Sequence, residues 1–146
     1  MPPLIPDDAC RMTQDALRQL IACSLEALPS EACGLLLSRN DDLTIDSIVP
    51  IRNSSPSPER RFAFDPRDWI SAYYNAQKNQ QHLVGFFHSH PSGAPLPSAT
   101  DYAGLPQGYG GIYCIVSAAP DASLVKAYRE HDGELYPLGP VCIHRG

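Results

Sequence analysis

The chain has 146 residues, of which 43% are apolar and 18% are charged, and its formal net charge is −5. This composition excludes a disordered or fibrous chain, and the length is sufficient for one substantial buried core. The 11 basic residues are scattered and outnumbered by 16 acidic ones, so we expect no nucleic-acid partner.

The amino-terminal stretch MPPLIPDD lacks the basic and apolar regions of a signal peptide. No segment approaches the roughly 18 apolar residues that a membrane span requires. There is no internal repeat and no second domain in the pattern of the sequence. We therefore expect a cytoplasmic protein without membrane contact, in which residues 1–146 form one domain.

The five cysteines are an odd number and include no C-x-x-C pair. This argues against a disulfide framework and against a zinc site made of thiolates. We expect them to act as small buried hydrophobic residues, and we leave open whether Cys33 also contributes to a functional site. The cysteines are Cys10, Cys23, Cys33, Cys114 and Cys142.

The first half of the chain begins with a predicted helix between Thr13 and Leu28. Apolar side chains recur there at helical spacing, and Pro29 ends the run. The segments ACGLLLS and LTIDSIVPI then predict two strands, which the polar residues RNDD join as a hairpin. The serine- and proline-rich residues 53–61 should form a mobile surface loop.

A second helix should begin at Asp65 and Pro66, because aspartate is a favoured N-cap and proline is tolerated at the first helical position. The helix should end near Gln80. Its apolar spacing predicts a buried stripe made of Trp69, Ile70, Tyr73 and Ala76.

The remaining apolar runs predict strands. They are HLVGFFHSH, GIYCIVSA, SLVKAYRE and a last, proline-interrupted run, GELYPLGPVCIH. The whole pattern predicts an α+β fold in which a mostly β core is flanked by about three helices.

The segment HSHPSGAPLPSATD, residues 88–101, carries the strongest chemical signal. Because side chains alternate along a strand, His88 and His90 should project from one face and Ser89 from the other. Three prolines then stiffen the loop that follows, so little freedom is lost when a site is ordered. Two histidines at this spacing can share a metal ion, although they can also be ordinary polar residues near a surface.

Ser98 and Asp101 follow this loop at the spacing of a helix start. The serine can be an N-cap with the carboxylate in the first turn, which by itself is only a capping motif. The carboxylate could also turn back toward His88 and His90, giving three ligands that leave a fourth zinc position open for water. The occurrence of both patterns together favours a metal site, since neither alternative explains the other pattern.

H-S-H-P followed by six residues and S-x-x-D resembles the motif of the JAMM (MPN+) metalloproteases at every fixed position. The stretch PSEACGLLLS also resembles that family's glutamate-bearing strand. The resemblance implies the cytidine-deaminase-like MPN fold, with a curved, mostly antiparallel sheet. It also implies one zinc ion per chain with water as the fourth ligand, a general base and an oxyanion-stabilising residue. The implied zinc ligands are His88, His90 and Asp101, the implied base is Glu31, and the implied oxyanion-stabilising residue is Ser98.

The same resemblance implies a hydrolase that cuts the peptide or isopeptide bond after the C-terminal Gly-Gly tail of a ubiquitin-like or sulfur-carrier protein. The small stand-alone prokaryotic type is the nearest pattern, since the chain lacks room for the long insertions of eukaryotic deubiquitinases. Such an enzyme could release a conjugated protein or a cysteine. Two alternatives remain, a non-catalytic MPN scaffold and a metal amidase of small peptides, and the oligomeric state stays open.

Overall fold

The computed structural model describes residues 9–98, 111–118 and 123–145. Within these ranges the chain forms two helices and eight strands. In chain order they are β1 (Arg11–Thr13), α1 (Gln14–Ala27), β2 (Cys33–Ser38), β3 (Ser47–Ile51), α2 (Pro66–Lys78), β4 (His82–His90), β5 (Ile112–Ser117), β6 (Leu124–His131), β7 (Glu134–Pro137) and β8 (Cys142–His144). A third helix, expected after Ser98, would fall outside the described ranges. None of the described helices has the length and apolar character to cross a membrane.

Six of the strands form one sheet in the order β3-β2-β4-β5-β6-β7. Neighbouring strands are antiparallel except for the β4–β5 pair, which is parallel. Strand β4 therefore lies near the middle of the sheet, between β2 and β5. The expected α+β class with a mostly antiparallel sheet is confirmed.

Both helices begin at side-chain caps, and the sequence predicted the one at Asp65. The Thr13 hydroxyl accepts a hydrogen bond from the Ala16 N–H at 3.1 Å, and the Asp65 carboxylate accepts from the N–H groups of Arg67 and Asp68. Such caps satisfy amide groups that the first helical turn leaves unpaired.

Each face of the six-stranded sheet has its own apolar cluster. On one face, α1 residues Ala16 and Leu20 pack with Leu36 of β2 and Phe87 of β4. The other cluster contains residues of α2 and of the segment before it. Its fully buried members include Leu35, Phe86, Tyr113 and Ile115.

The buried stripe of α2 is narrower than the sequence predicted. Ile70 is 53% exposed and Tyr73 is 36% exposed, whereas Ala72 and Ala76 are buried and Trp69 is partly buried. The helix is therefore turned so that its small alanines face the sheet, and the prediction for Ile70 and Tyr73 was wrong.

The carboxy-terminal run forms two short strands in different sheets rather than one interrupted strand. Pro140 lies in the break between them, and a proline cannot donate a ladder hydrogen bond. Strand β7 extends the main sheet, while β8 pairs in parallel with β1, with Arg11 opposite Cys142. Nothing local in the sequence indicated β1, because its partner lies at the opposite end of the chain.

Candidate active site

Two imidazoles meet at the end of β4. His88 and His90 lie on the same face of the strand, as the alternation of side chains predicts. Their Nε2 atoms are 3.1 Å apart and their ring centroids are 5.0 Å apart. The two Nε2 atoms therefore border the same small volume.

The other nitrogen of each ring also has a neighbour. His90 Nδ1 lies 2.9 Å from the carbonyl oxygen of Ala94, which can only accept, so Nδ1 carries a proton, and in the neutral ring Nε2 then presents a lone pair. His88 Nδ1 lies 3.2 Å from the hydroxyl of Tyr113, which can accept in the same way. In that arrangement both Nε2 lone pairs point toward each other, and a cation between them relieves their repulsion.

The pair is accessible from the His90 side. His88 is fully buried, and the ring of Phe62 stacks on it with centroids 4.5 Å apart and planes inclined by 18°. His90 is only partly buried. A substrate or metal ion would therefore approach along His90, with His88 forming the closed end of the site.

Glu31 is brought beside the histidines by the register of β2 against β4. Cys33 lies opposite His88. The next pair consists of Ala32, which precedes Cys33, and Ser89, which follows His88. The Ser89 N–H donates to the Ala32 carbonyl at 2.9 Å, and the Ala32 N–H donates to the Ser89 hydroxyl at 2.8 Å. Continuing the same register by one residue places the Glu31 backbone opposite that of His90, and Glu31 is only 5% exposed.

The segment after β3 also holds the Glu31 backbone. The Asn53 side-chain amide donates to the Glu31 carbonyl at 3.1 Å and to the Arg61 carbonyl at 3.0 Å. The Glu31 N–H donates to the Pro58 carbonyl at 2.7 Å. Residues 53–61, which the sequence predicted as a mobile loop, are thus cross-linked by hydrogen bonds to the residue next to the histidines.

The loop after His90 is fixed at three points by β5, β6 and the residue that follows β5. The Ser117 hydroxyl donates to the Gly93 carbonyl at 2.8 Å, and the buried Tyr128 hydroxyl donates to the Pro95 carbonyl at 2.8 Å. The Ala118 N–H donates to the His90 carbonyl at 3.0 Å. Ser98 is exposed at the end of this loop, and Asp101 lies outside the described residues.

Cys33 packs in the core, as expected for a small buried hydrophobic residue. It is 1% exposed, and its Sγ donates to the Ile51 carbonyl at 3.4 Å. Burial, reinforced by nearby acidic groups that include Glu31, raises its pKa to about 12. A thiol with this pKa stays protonated at neutral pH in the metal-free protein, in keeping with the expected role as a small buried hydrophobic residue.

The donor set fits a zinc ion on chemical grounds. Zinc prefers imidazole nitrogen and carboxylate oxygen, and His88 and His90 offer two imidazole nitrogens at one point. Residues 9–98, 111–118 and 123–145 contain no group of three candidate ligands. Asp101, the expected carboxylate, belongs to the part of the chain outside those ranges.

Several residues that build the site were not singled out by the sequence. Tyr113 lies in an apolar run that predicts a strand, and nothing local shows that its hydroxyl meets His88. The same holds for Phe62, which stacks on that ring, and for Asn53, which binds the Glu31 carbonyl. Ser89 carried one usable signal, a small polar residue on the buried face of an otherwise apolar strand.

A protein-family model described as prokaryotic homologues of the JAB domain matches residues 13–130. The desampylase of Haloferax volcanii is 36% identical over 73 residues, which make up 50% of this chain and 52% of that protein. A probable TtuB-protein conjugate cleaving protease of Thermus thermophilus is 31% identical over 85 residues, or 58% of this chain and 55% of the relative. The chain thus spans about half the length of these curated relatives.

Solved structures match over nearly the whole chain. The solution structure of protein DSY2949 from Desulfitobacterium hafniense has 29% sequence identity and a TM-score of 0.80, and the match covers 94% of each chain. At 20% identity, a JAB1/MPN domain protein from Archaeoglobus fulgidus has a TM-score of 0.61. Also at 20% identity, a structure described as JAMM, a metalloprotease-like zinc site in the proteasome and signalosome, has a TM-score of 0.58. Each of these two matches covers 93% of this chain and 98% of the other, and at this identity they establish the fold alone.

Proposed function

Because this chain belongs to the prokaryotic homologues of the JAB domain, we propose that it is a zinc-dependent hydrolase of conjugates formed by a ubiquitin-like or sulfur-carrier protein. The cleaved bond is the peptide or isopeptide bond that follows the Gly-Gly tail of that protein. The names of the relatives support this substrate class, since one is a desampylase and another a probable protease of TtuB-protein conjugates.

The observation that carries the proposal is the meeting of two histidine Nε2 atoms 3.1 Å apart, with Glu31 buried at the start of the neighbouring strand. A pair of exposed polar histidines would not need one ring to be fully buried. Nor would it need the neighbouring strand to be clamped at the residue after Glu31. His88, His90 and Asp101 would hold the zinc ion.

The remaining roles follow from the chemistry of amide hydrolysis. When bound, zinc would polarise the scissile carbonyl and lower the pKa of water to about 7. The Glu31 carboxylate would take a proton from the attacking water and pass it to the leaving amine. The Ser98 hydroxyl would donate a hydrogen bond to the oxygen on which negative charge develops.

The first test compares wild type with Glu31→Gln, and zinc content and turnover are measured on the same sample of each protein. We expect both proteins to bind about one zinc per chain by elemental analysis, because the substituted side chain is not among the proposed ligands. Turnover of a Gly-Gly-linked conjugate should fall by about 100-fold or more, the usual cost of removing a general base. Three conjugates, with a lysine isopeptide, a linear fusion and a C-terminal cysteine, would identify the bond type.

Two controls sharpen this test. Glu26→Gln changes an exposed carboxylate on α1 and should leave both zinc content and turnover unchanged. His88→Ala and Asp101→Ala should each lose zinc together with activity. If zinc-loaded wild type cleaves none of the conjugates, the non-catalytic scaffold becomes the better explanation, and faster cleavage of a free short peptide would favour the amidase.

A further inference from the structure

We propose that Tyr113 is a positioning residue of this site, whose hydroxyl sets the tautomer and the ring orientation of His88. The inference rests on the proposed function in one respect, that His88 uses Nε2 as a zinc ligand. It adds a residue that is not a ligand and does not touch the substrate.

The register of the sheet brings the tyrosine to the histidine. Strand β5 runs parallel to β4, and Tyr113 lies opposite Phe86, two residues before His88. Its ring meets the His88 ring edge-on, with centroids 5.5 Å apart and an interplanar angle of 62°. Tyr113 is 1% exposed, so its hydroxyl is held in place by the surrounding core.

The surroundings of His88 make a specific polar neighbour important. One face of the ring is covered by Phe62, and the ring itself is fully buried. The Tyr113 hydroxyl is 3.2 Å from Nδ1, within hydrogen-bond distance. A buried imidazole that loses a hydrogen-bond partner pays the desolvation cost of that nitrogen or turns to find another partner.

A hydroxyl is suited to this position because it can both donate and accept. If it donates to Nδ1, the proton of His88 sits on Nε2 and can be donated to His90 Nε2 across 3.1 Å. If it accepts from Nδ1–H, the neutral ring presents a lone pair on Nε2, the form that binds a metal ion. His90 lacks this choice, because its Nδ1 faces a backbone carbonyl at 2.9 Å.

The consequence is a specific cost of Tyr113→Phe. The phenyl ring keeps the packing but removes the acceptor for His88 Nδ1–H. Outer partners of this kind orient a metal-binding histidine, and their loss typically lowers metal affinity by about 10- to 100-fold. We expect that range for Tyr113→Phe.

Ser24→Ala is the matched control. Ser24 is fully buried in α1, and its hydroxyl donates to the Leu20 carbonyl at 2.8 Å. It therefore reproduces the loss of a buried hydroxyl at a residue outside the proposed site. A general loosening of the core would act through both variants.

The experiment measures the affinity of metal-free protein for Co²⁺ by competition with a chromophoric chelator. The thermal unfolding midpoint of each metal-free variant shows that it is folded. In zinc-loaded samples, ¹⁵N-resolved NMR of the histidine rings reports the His88 Nδ1–H directly. Wild type should show this proton hydrogen-bonded, which tests the contact even without a variant.

The inference is supported if Tyr113→Phe weakens Co²⁺ binding at least about 10-fold and alters the His88 Nδ1–H signal, while Ser24→Ala stays within about threefold of wild type. It is overturned, with the proposed function intact, if wild type binds Co²⁺ and Tyr113→Phe binds it as tightly as Ser24→Ala does. A wild type that binds neither Co²⁺ nor zinc would overturn the proposed function and this inference together.

Discussion

Among single residues, Ser89 connects the two strands that carry the proposed chemistry. Its N–H and hydroxyl both bond to Ala32, the residue after Glu31, while its neighbours His88 and His90 project from the opposite face. Ser89 is fully buried, so water cannot replace its hydroxyl without a rearrangement. The middle residue of the H-S-H motif thus holds the proposed base in register with the proposed ligands.

Ser89→Ala should lower the free energy of unfolding by about 1–3 kcal/mol, because the buried Ala32 N–H loses its acceptor. Urea unfolding monitored by circular dichroism would measure this. Ser117→Ala is the comparison, since its hydroxyl bonds to the Gly93 carbonyl at an exposed position, and we expect a loss below about 1 kcal/mol. Equal stability of Ser89→Ala and wild type would show that the hydroxyl is dispensable for holding the two strands.

At the level of secondary-structure elements, the contact between β4 and β5 places Tyr113 within reach of His88. The two strands approach closely at Gly85, where a Cβ atom would lie 1.7 Å from the Ile112 carbonyl oxygen. Backbone atoms cannot move aside as the end of a flexible side chain can. Gly85 is therefore required for β5 to take its present position.

Gly85→Ala should destabilise the protein by about 3 kcal/mol or more, since overpacking against backbone in a core commonly costs about 1–3 kcal/mol even where neighbours can adjust. Gly93→Ala separates this steric effect from backbone strain, because Gly93 has φ of +94° while, among the described residues, no atom lies within 4 Å of an added Cβ. For that variant we expect a loss of about 1–2 kcal/mol. Chemical denaturation of both variants would test the order, and a smaller loss for Gly85→Ala would contradict it.

Across the whole molecule, buried thiols make the stability depend on alkaline pH. Burial, together with nearby charges, raises the pKa of Cys33 from 9.0 to about 12. A hydrogen bond with Cys10, together with burial, raises the pKa of Cys114 well above 9.0. Both cysteines keep their protons in the folded state at a pH where the unfolded chain has lost them.

The sign of the effect follows from proton linkage. Above pH 9.0 the unfolded chain binds fewer protons than the folded one, so the free energy of unfolding falls as pH rises toward the folded pKa of about 12. Each such thiol contributes about 1.4 kcal/mol per pH unit. Urea unfolding in reducing buffer between about pH 8 and pH 11 should show this decline, and the slope for Cys33→Ala should be shallower by about that amount. Parallel slopes would mean that Cys33 titrates alike in both states.

The sequence by itself determined the local elements and the identity of the chemical groups. The sequence predicts the cap at Asp65, the stop at Pro29 and the apolar run of β4, because their causes lie within a few residues. The α+β class and the family resemblance were predicted on the same basis. The alternation of a strand was also enough to put His88 and His90 on one face.

Only the tertiary structure decided which groups meet across the sheet. The Tyr113 hydroxyl reaches His88 over 25 residues of sequence, and the Ala32 N–H reaches Ser89 over 57. The pairing of β1 with β8 and the rotation of α2 that exposes Ile70 were likewise decided by the tertiary structure. Each depends on strand register and on packing between distant segments, and local propensity and spacing carry no information about either.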